Sequence, residues 1–164
     1  TRQGTPIVYS VNGDEVGELF LQLKDLATRC LTDLQAALAG VADAPTRAEA
    51  VGRDALLTKV ATGESMVIDV RPEPEYHAAH LPGAYSVPLD QLERQLDGLP
   101  KDREIVAYCR GRYCVLADRA VEILRNAGFS ARRSDVDVAD WKREGLPVEA
   151  AGRRPVSASQ EVRP

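Results

Sequence analysis

The apolar residues Val16, Phe20, Leu23, Ala27, Cys30, Leu34, Ala37 and Val41 recur in alternating steps of four and three. That is the rhythm of a helix packed along its length against another helix. Leu19, Leu26, Leu31 and Leu38 widen the stripe. Asn12 is a suitable N-cap, and Asp14 and Glu15 place acids in the first turn, so the spacing predicts a helix from Asp14 to about Ala39. Ahead of it, Pro6–Val11 reads as a short strand with β-branched and aromatic content. Nothing adjacent supplies a partner for the stripe. The expectation is a homodimer formed through 14–41, with packing against the rest of the same chain as the alternative.

The rhythm breaks at 42–50, where Pro45, alanines and polar residues read as a linker, and a different pattern follows over 51–150. A helix is expected at about 53–62, then a buried strand at Met66–Val70, a short helix after Pro72 and a turn at Leu81-Pro-Gly83. A helix at about 89–97 precedes the strand 104–108 and a helix at about 114–127. A short strand near 131–134 and a last helix at about 137–144, carrying Trp141, complete the series. Short, almost continuously apolar strands alternating with helices imply an α/β fold, a parallel sheet flanked by helices on both faces. Beyond about 150, the tail to Pro164 is rich in Arg, Ser and Pro and reads as disordered.

A formal net charge of −4 argues against broad electrostatic binding of nucleic acid. No apolar run reaches the ~18 residues of a membrane span and there is no leader pattern, so no membrane contact is expected and the cytoplasm is the default. Three cysteines, Cys30, Cys109 and Cys114, are a poor basis for a disulfide framework. The chain opens at Thr1, which reads as a piece of something longer.

The chemistry concentrates in Cys109-Arg-Gly-Arg-Tyr-Cys114, between the apolar run Ile105–Tyr108 and the helix beginning near Val115. A thiol there sits at the carboxyl end of a buried strand, on a loop opening into a helix, where ligands bind in parallel α/β sheets. Loop amides and the helix N-terminus favour negative charge, so a Cys109 thiolate is expected to be stabilised. Arg110 and Arg112 add fixed positive charge.

Taken together, these segments resemble the rhodanese (sulfurtransferase) family. The resemblance rests on Val67-Ile-Asp-Val-Arg-Pro-Glu-Pro-Glu-Tyr76, on His80-Leu-Pro-Gly-Ala84 with Pro88-Leu89, on Ile105–Phe129 and on Trp141–Pro147. It implies that Cys109 takes a sulfane sulfur from a small donor such as thiosulfate and passes it to a thiol or cyanide. Arg110, Gly111, Arg112, Tyr113, Cys114 and Val115 would form the anion-binding loop. Asp69 and Arg71 would be a structural pair, and His80 a turn residue held by backbone hydrogen bonds. No cofactor and no metal are implied. The sequence departs from the family pattern at Ala79, at Ser134-Asp-Val-Asp137, where Asp137 is expected to alter the rim of the site, and at Cys114. Cys114 is equally readable as a resolving thiol for Cys109 and as a small buried residue at a helix start. The first 41 residues resemble the second wing strand and dimerisation helix of ArsR-type winged-helix repressors. That resemblance implies a transcription regulator that reads DNA only in an intact, longer protein, because the recognition helix lies outside this chain.

The leading expectation is a sulfurtransferase or persulfide carrier fused to part of such a regulator. Two alternatives stand beside it. One is an arsenate reductase or phosphatase, whose loops are typically one residue longer. The other is a thiol or persulfide sensor with little turnover, switched by a Cys109–Cys114 disulfide.

Overall fold

The computed structural model describes residues 14–30 and 50–150. They belong to two compact units divided after Gly40. In the first, α1 spans Asp14–Cys30 and so begins where its acidic first turn predicts. Val16, Leu19, Phe20, Leu23 and Leu26 on this helix are all exposed, with Phe20 at 64 %. The expected strand at Pro6–Val11, the stripe beyond Cys30, the linker to Glu49 and the tail from Ala151 lie outside the described residues.

The second unit alternates strands and helices. After α2 (Arg53–Thr62) and β1 (Ser65–Asp69) come α3 (Glu73–Ala78), β2 (Tyr85–Ser86) and α4 (Leu89–Gln95). A 3-10 turn at Leu96–Gly98, β3 (Glu104–Cys109), α5 (Leu116–Asn126), β4 (Ala131–Asp137) and α6 (Val138–Arg143) follow. The strands form one parallel sheet in the order β2-β1-β3-β4, with Met66 opposite Ile105 and Ile68 opposite Ala107.

Period-two alternation divides the central strands between two cores. Met66, Ile68, Ile105, Ala107 and Cys109 face one layer, packing with Leu92 of α4 and with Ala117, Ala120, Val121 and Leu124 of α5. Val67, Val106 and Tyr108 face the other, with Leu56 of α2 and with Val138 and Trp141 of α6. Every residue of β1 is buried, which explains its central apolar run Met66-Val-Ile68. Fully burying an Ile or Leu is worth about 1.5–3 kcal/mol, so these two layers hold the sheet. Helices therefore cover both faces, as the alternation of elements predicts.

Two elements differ from expectation. β2 is only two residues long, too short to register as a strand in the pattern. β4 continues three residues past 134, because the Ser134 hydroxyl donates to the Val51 carbonyl at 2.8 Å and Val136 remains buried. α6 then starts at the end of β4, with the Asp137 carboxylate accepting from the Ala139 amide at 2.9 Å.

Candidate active site

Cys109 is the last residue of β3 and is fully buried, while Cys114 is half-buried at the end of the loop leading into α5. The loop closes through the Cys114 amide donating to the Gly111 carbonyl at 3.2 Å. Gly111 has φ +82°, and a Cβ there would meet the Asp137 Cβ at 3.2 Å. Glycine is therefore required by both backbone conformation and space. Asp137 stands against the loop, the rim position expected of it.

The two cysteines form a pair. The Cys109 thiol donates to the Cys114 carbonyl oxygen at 3.7 Å, and the two side chains are close enough to interact electrostatically. Backbone amides of Arg110 and Ala117 point at the Cys109 sulfur, and those of Arg110 and Leu116 at Cys114. The cradle therefore draws on the first turn of α5 as well as on the loop. The neighbouring Cys109 side chain, aided by the Leu116 and Arg110 amides and the Arg110 charge, pushes Cys114 down to about 5 against its partial burial. The Cys114 side chain, with burial, pushes Cys109 up. The sequence reading places the stabilised thiolate on Cys109. Two thiolates side by side disfavour one another, so each cysteine's titration is tied to the other's.

Arg110 is not an open anion ligand. Its Nε donates to Glu75 Oε2 at 3.0 Å, and its Nη2 pairs with Glu75 Oε1. Glu75, from α3, also lies 4.0 Å from Arg71. Arg112, Tyr113 and Val115 are exposed on the loop surface.

Asp69 and Arg71 are buried at the end of β1 and form a forked pair, with Arg71 Nη2 at 2.6 Å from Asp69 Oδ2. Burial alone would lower the Arg71 pKa, but the Asp69 carboxylate more than offsets it and the net shift is upward. The Tyr108 hydroxyl donates to Asp69 at 2.7 Å and accepts from the Leu81 amide at 3.2 Å, while Arg71 donates to the Ala79 carbonyl at 2.7 Å. His80 stacks on Tyr76 with ring centroids 3.7 Å apart, and its Nδ1 lies 2.7 Å from the Tyr76 carbonyl. These groups bind β1, β3 and the turn into one frame beneath the loop, on the face opposite Cys109.

Two further residues belong to the site and escaped the sequence reading. One is Glu75. The other is Arg133 in β4, fully buried, with Nη1 at 3.1 Å from both carboxylate oxygens of Asp118 and Nη2 at 2.8 Å from Asp135. Its Nη2 also reaches the Gly111 carbonyl at 3.4 Å, which ties the loop to β4 and α5. A charged residue in a short strand carries no signal of burial until its two carboxylate partners are seen.

Fold and site together define a parallel α/β domain that presents a cysteine loop at the carboxyl edge of its sheet. Residues 53–144 match the model of the rhodanese-like domain, and the chain belongs to that family. It is 42 % identical over 148 residues to the HTH-type transcriptional regulator Rv0324 of Mycobacterium tuberculosis, a match covering 90 % of this chain and 65 % of that protein. A sulfurtransferase of Allochromatium vinosum is 27 % identical over 90 residues, covering 54 % of this chain and 82 % of that one. Among solved structures, the BH2092 protein of Bacillus halodurans superposes with a TM-score of 0.58 at 27 % identity, over 62 % of this chain and 76 % of that one. Among the described residues, no helix is long and apolar enough to cross a membrane.

Proposed function

We propose that this chain is a rhodanese-type sulfurtransferase or persulfide carrier acting through Cys109, and that it forms part of a transcription regulator. The observation that carries the chemistry is the Cys109 sulfur at the end of β3, 3.7 Å from the Cys114 carbonyl in a loop closed onto Gly111, on a segment matched to the family. The Cys109 thiol gives up its proton to water. The Cys109 thiolate attacks the outer sulfur of thiosulfate. The S–S bond of the donor breaks and sulfite leaves with its electron pair. Loop and helix amides stabilise the charge on the resulting persulfide. An acceptor thiolate or cyanide then takes the outer sulfur and returns Cys109 to its starting state.

The regulatory part of the proposal rests on likeness to a protein named as an HTH-type transcriptional regulator, of which this chain spans 65 %. The row of exposed apolar side chains on α1 supports its use as a homodimer contact, and membership of the ArsR-type group is the reading that the wing-strand resemblance favours. DNA binding would then belong to the longer protein.

The test is sulfur transfer from thiosulfate to cyanide by the purified chain and by Cys109→Ser, with circular dichroism to verify the fold. Thiocyanate formation should fall by at least ~1000-fold in the variant, the scale of losing a covalent nucleophile. A folded variant that still turns over would exclude Cys109 as the sulfur carrier. Hydrolysis of an aryl phosphate by the parent chain would favour the phosphatase alternative.

A further inference from the structure

The buried position of one sulfur and the placement of the other beside it point to a second reaction at the same loop. Once Cys109 carries a persulfide, its two sulfur atoms differ in who can reach them. The outer atom is the one that external acceptors must reach to take the sulfur. The inner atom, the Cys109 Sγ, sits at a fully buried residue walled by β3 and α5. Among described cysteines only Cys114 lies against it.

We infer that Cys114 resolves the Cys109 persulfide internally, releasing sulfide and closing a Cys109–Cys114 disulfide. The Cys114 thiolate attacks the Cys109 Sγ. A bond forms between the two cysteine sulfurs as the bond from Sγ to the sulfane sulfur breaks. The departing sulfur takes that electron pair and a proton from water and leaves as hydrosulfide. The sulfane sulfur is thus reduced and the cysteine pair oxidised, with no outside oxidant. A dithiol reductant restores the pair.

Three features favour this step over passive storage. The nucleophile is tethered in the same six-residue loop, so attack is first order, and well-placed intramolecular reactions reach effective molarities of about 10⁵ M or more. Amides of Leu116 and Arg110 and the Arg110 guanidinium favour the anionic form of Cys114. The Gly111 turn, held by Arg133, keeps Cys114 facing Cys109.

This inference rests on Cys109 being the sulfur carrier, and the experiment separates the two. The full chain, Cys114→Ser and Cys114→Ala are each loaded anaerobically with thiosulfate, and intact mass and free sulfide are followed with time. In the parent chain a gain of one sulfur atom should give way to a loss of two hydrogen atoms, with one sulfide released per disulfide formed. In both variants the added sulfur should persist, with a lifetime longer by at least about 100-fold, and remain removable by cyanide. Equal persulfide lifetimes in parent and variants, with transfer to cyanide intact, would overturn the internal step and leave the sulfurtransferase reading standing. Absence of any sulfur gain in all three folded proteins would overturn both.

Discussion

Glu75 is the residue whose removal should change substrate preference most directly. It neutralises Arg110 from across the loop, so an anionic donor must compete with a carboxylate already in place. The pair is partly exposed, which limits its worth to about 0.2–1 kcal/mol. Glu75→Gln should therefore lower KM for thiosulfate by about two- to five-fold at low salt, with little change in kcat. The gain should shrink as ionic strength rises. A KM that is unmoved, or that rises, would show that Arg110 does not meet the donor. Arg133 teaches a related point at this scale. Its charge is compatible with full burial only because Asp118 and Asp135 flank it and the Gly111 carbonyl accepts from it. Neither Glu75 nor Arg133 was legible from the chain, since each acquires its role from partners brought close by folding. Cys109, by contrast, was readable from its place between a continuous apolar strand and a helix start. What stayed hidden was how close folding brings Cys114 to Cys109, since both lie on a loop whose turn is set by Gly111 and Arg133.

At the scale of elements, α1 leaves Val16, Leu19, Phe20, Leu23 and Leu26 exposed, enough apolar surface to support self-association. Burying each such side chain across an interface removes water from it at about 1.5–3 kcal/mol apiece, less the cost of association. The double variant Phe20→Glu with Leu23→Glu should shift the chain from dimer to monomer at micromolar concentration in sedimentation equilibrium. A parent chain already monomeric there would exclude this contact. The helices and strands of the second unit were legible to within a few residues where the rhythm was strong, as in β1, β3 and α5. The rhythm failed at β2, where Tyr85–Ser86 offers no period to count, and in the tail of β4. There Ser134 and Asp135 look like turn residues and are held in the strand by side-chain partners.

The molecule as a whole should lose stability in acid through Glu104. Burial pushes this carboxyl up, but the Lys59 ammonium at 2.7 Å, with Ser65 and Arg132, holds it below the usual carboxylate range. A group whose pKa is depressed on folding contributes fully above its unfolded value, near 4.3, and loses that contribution as the pH falls through its folded value. Urea midpoints measured from about pH 6 down to about pH 2 should fall less steeply in Glu104→Gln than in the parent chain. Parallel curves would remove Glu104 from the acid response. The parallel architecture was recoverable from alternation because strands buried on both faces are mostly apolar, whereas the non-local ion pairs behind its pH response left no local trace.

The backbone pairing between His80 and Glu149 carries a mechanical consequence. Each residue donates to the other's carbonyl, at 2.8 and 2.9 Å, so the end of the described chain is hooked to the turn that follows α3. The neighbouring Ala79 carbonyl is where Arg71 anchors. Whatever continues past Ala150 thus leaves from a tether on the frame beneath the cysteine loop. Tension or steric load applied there would reach the supports of the reactive loop before it reached the sheet.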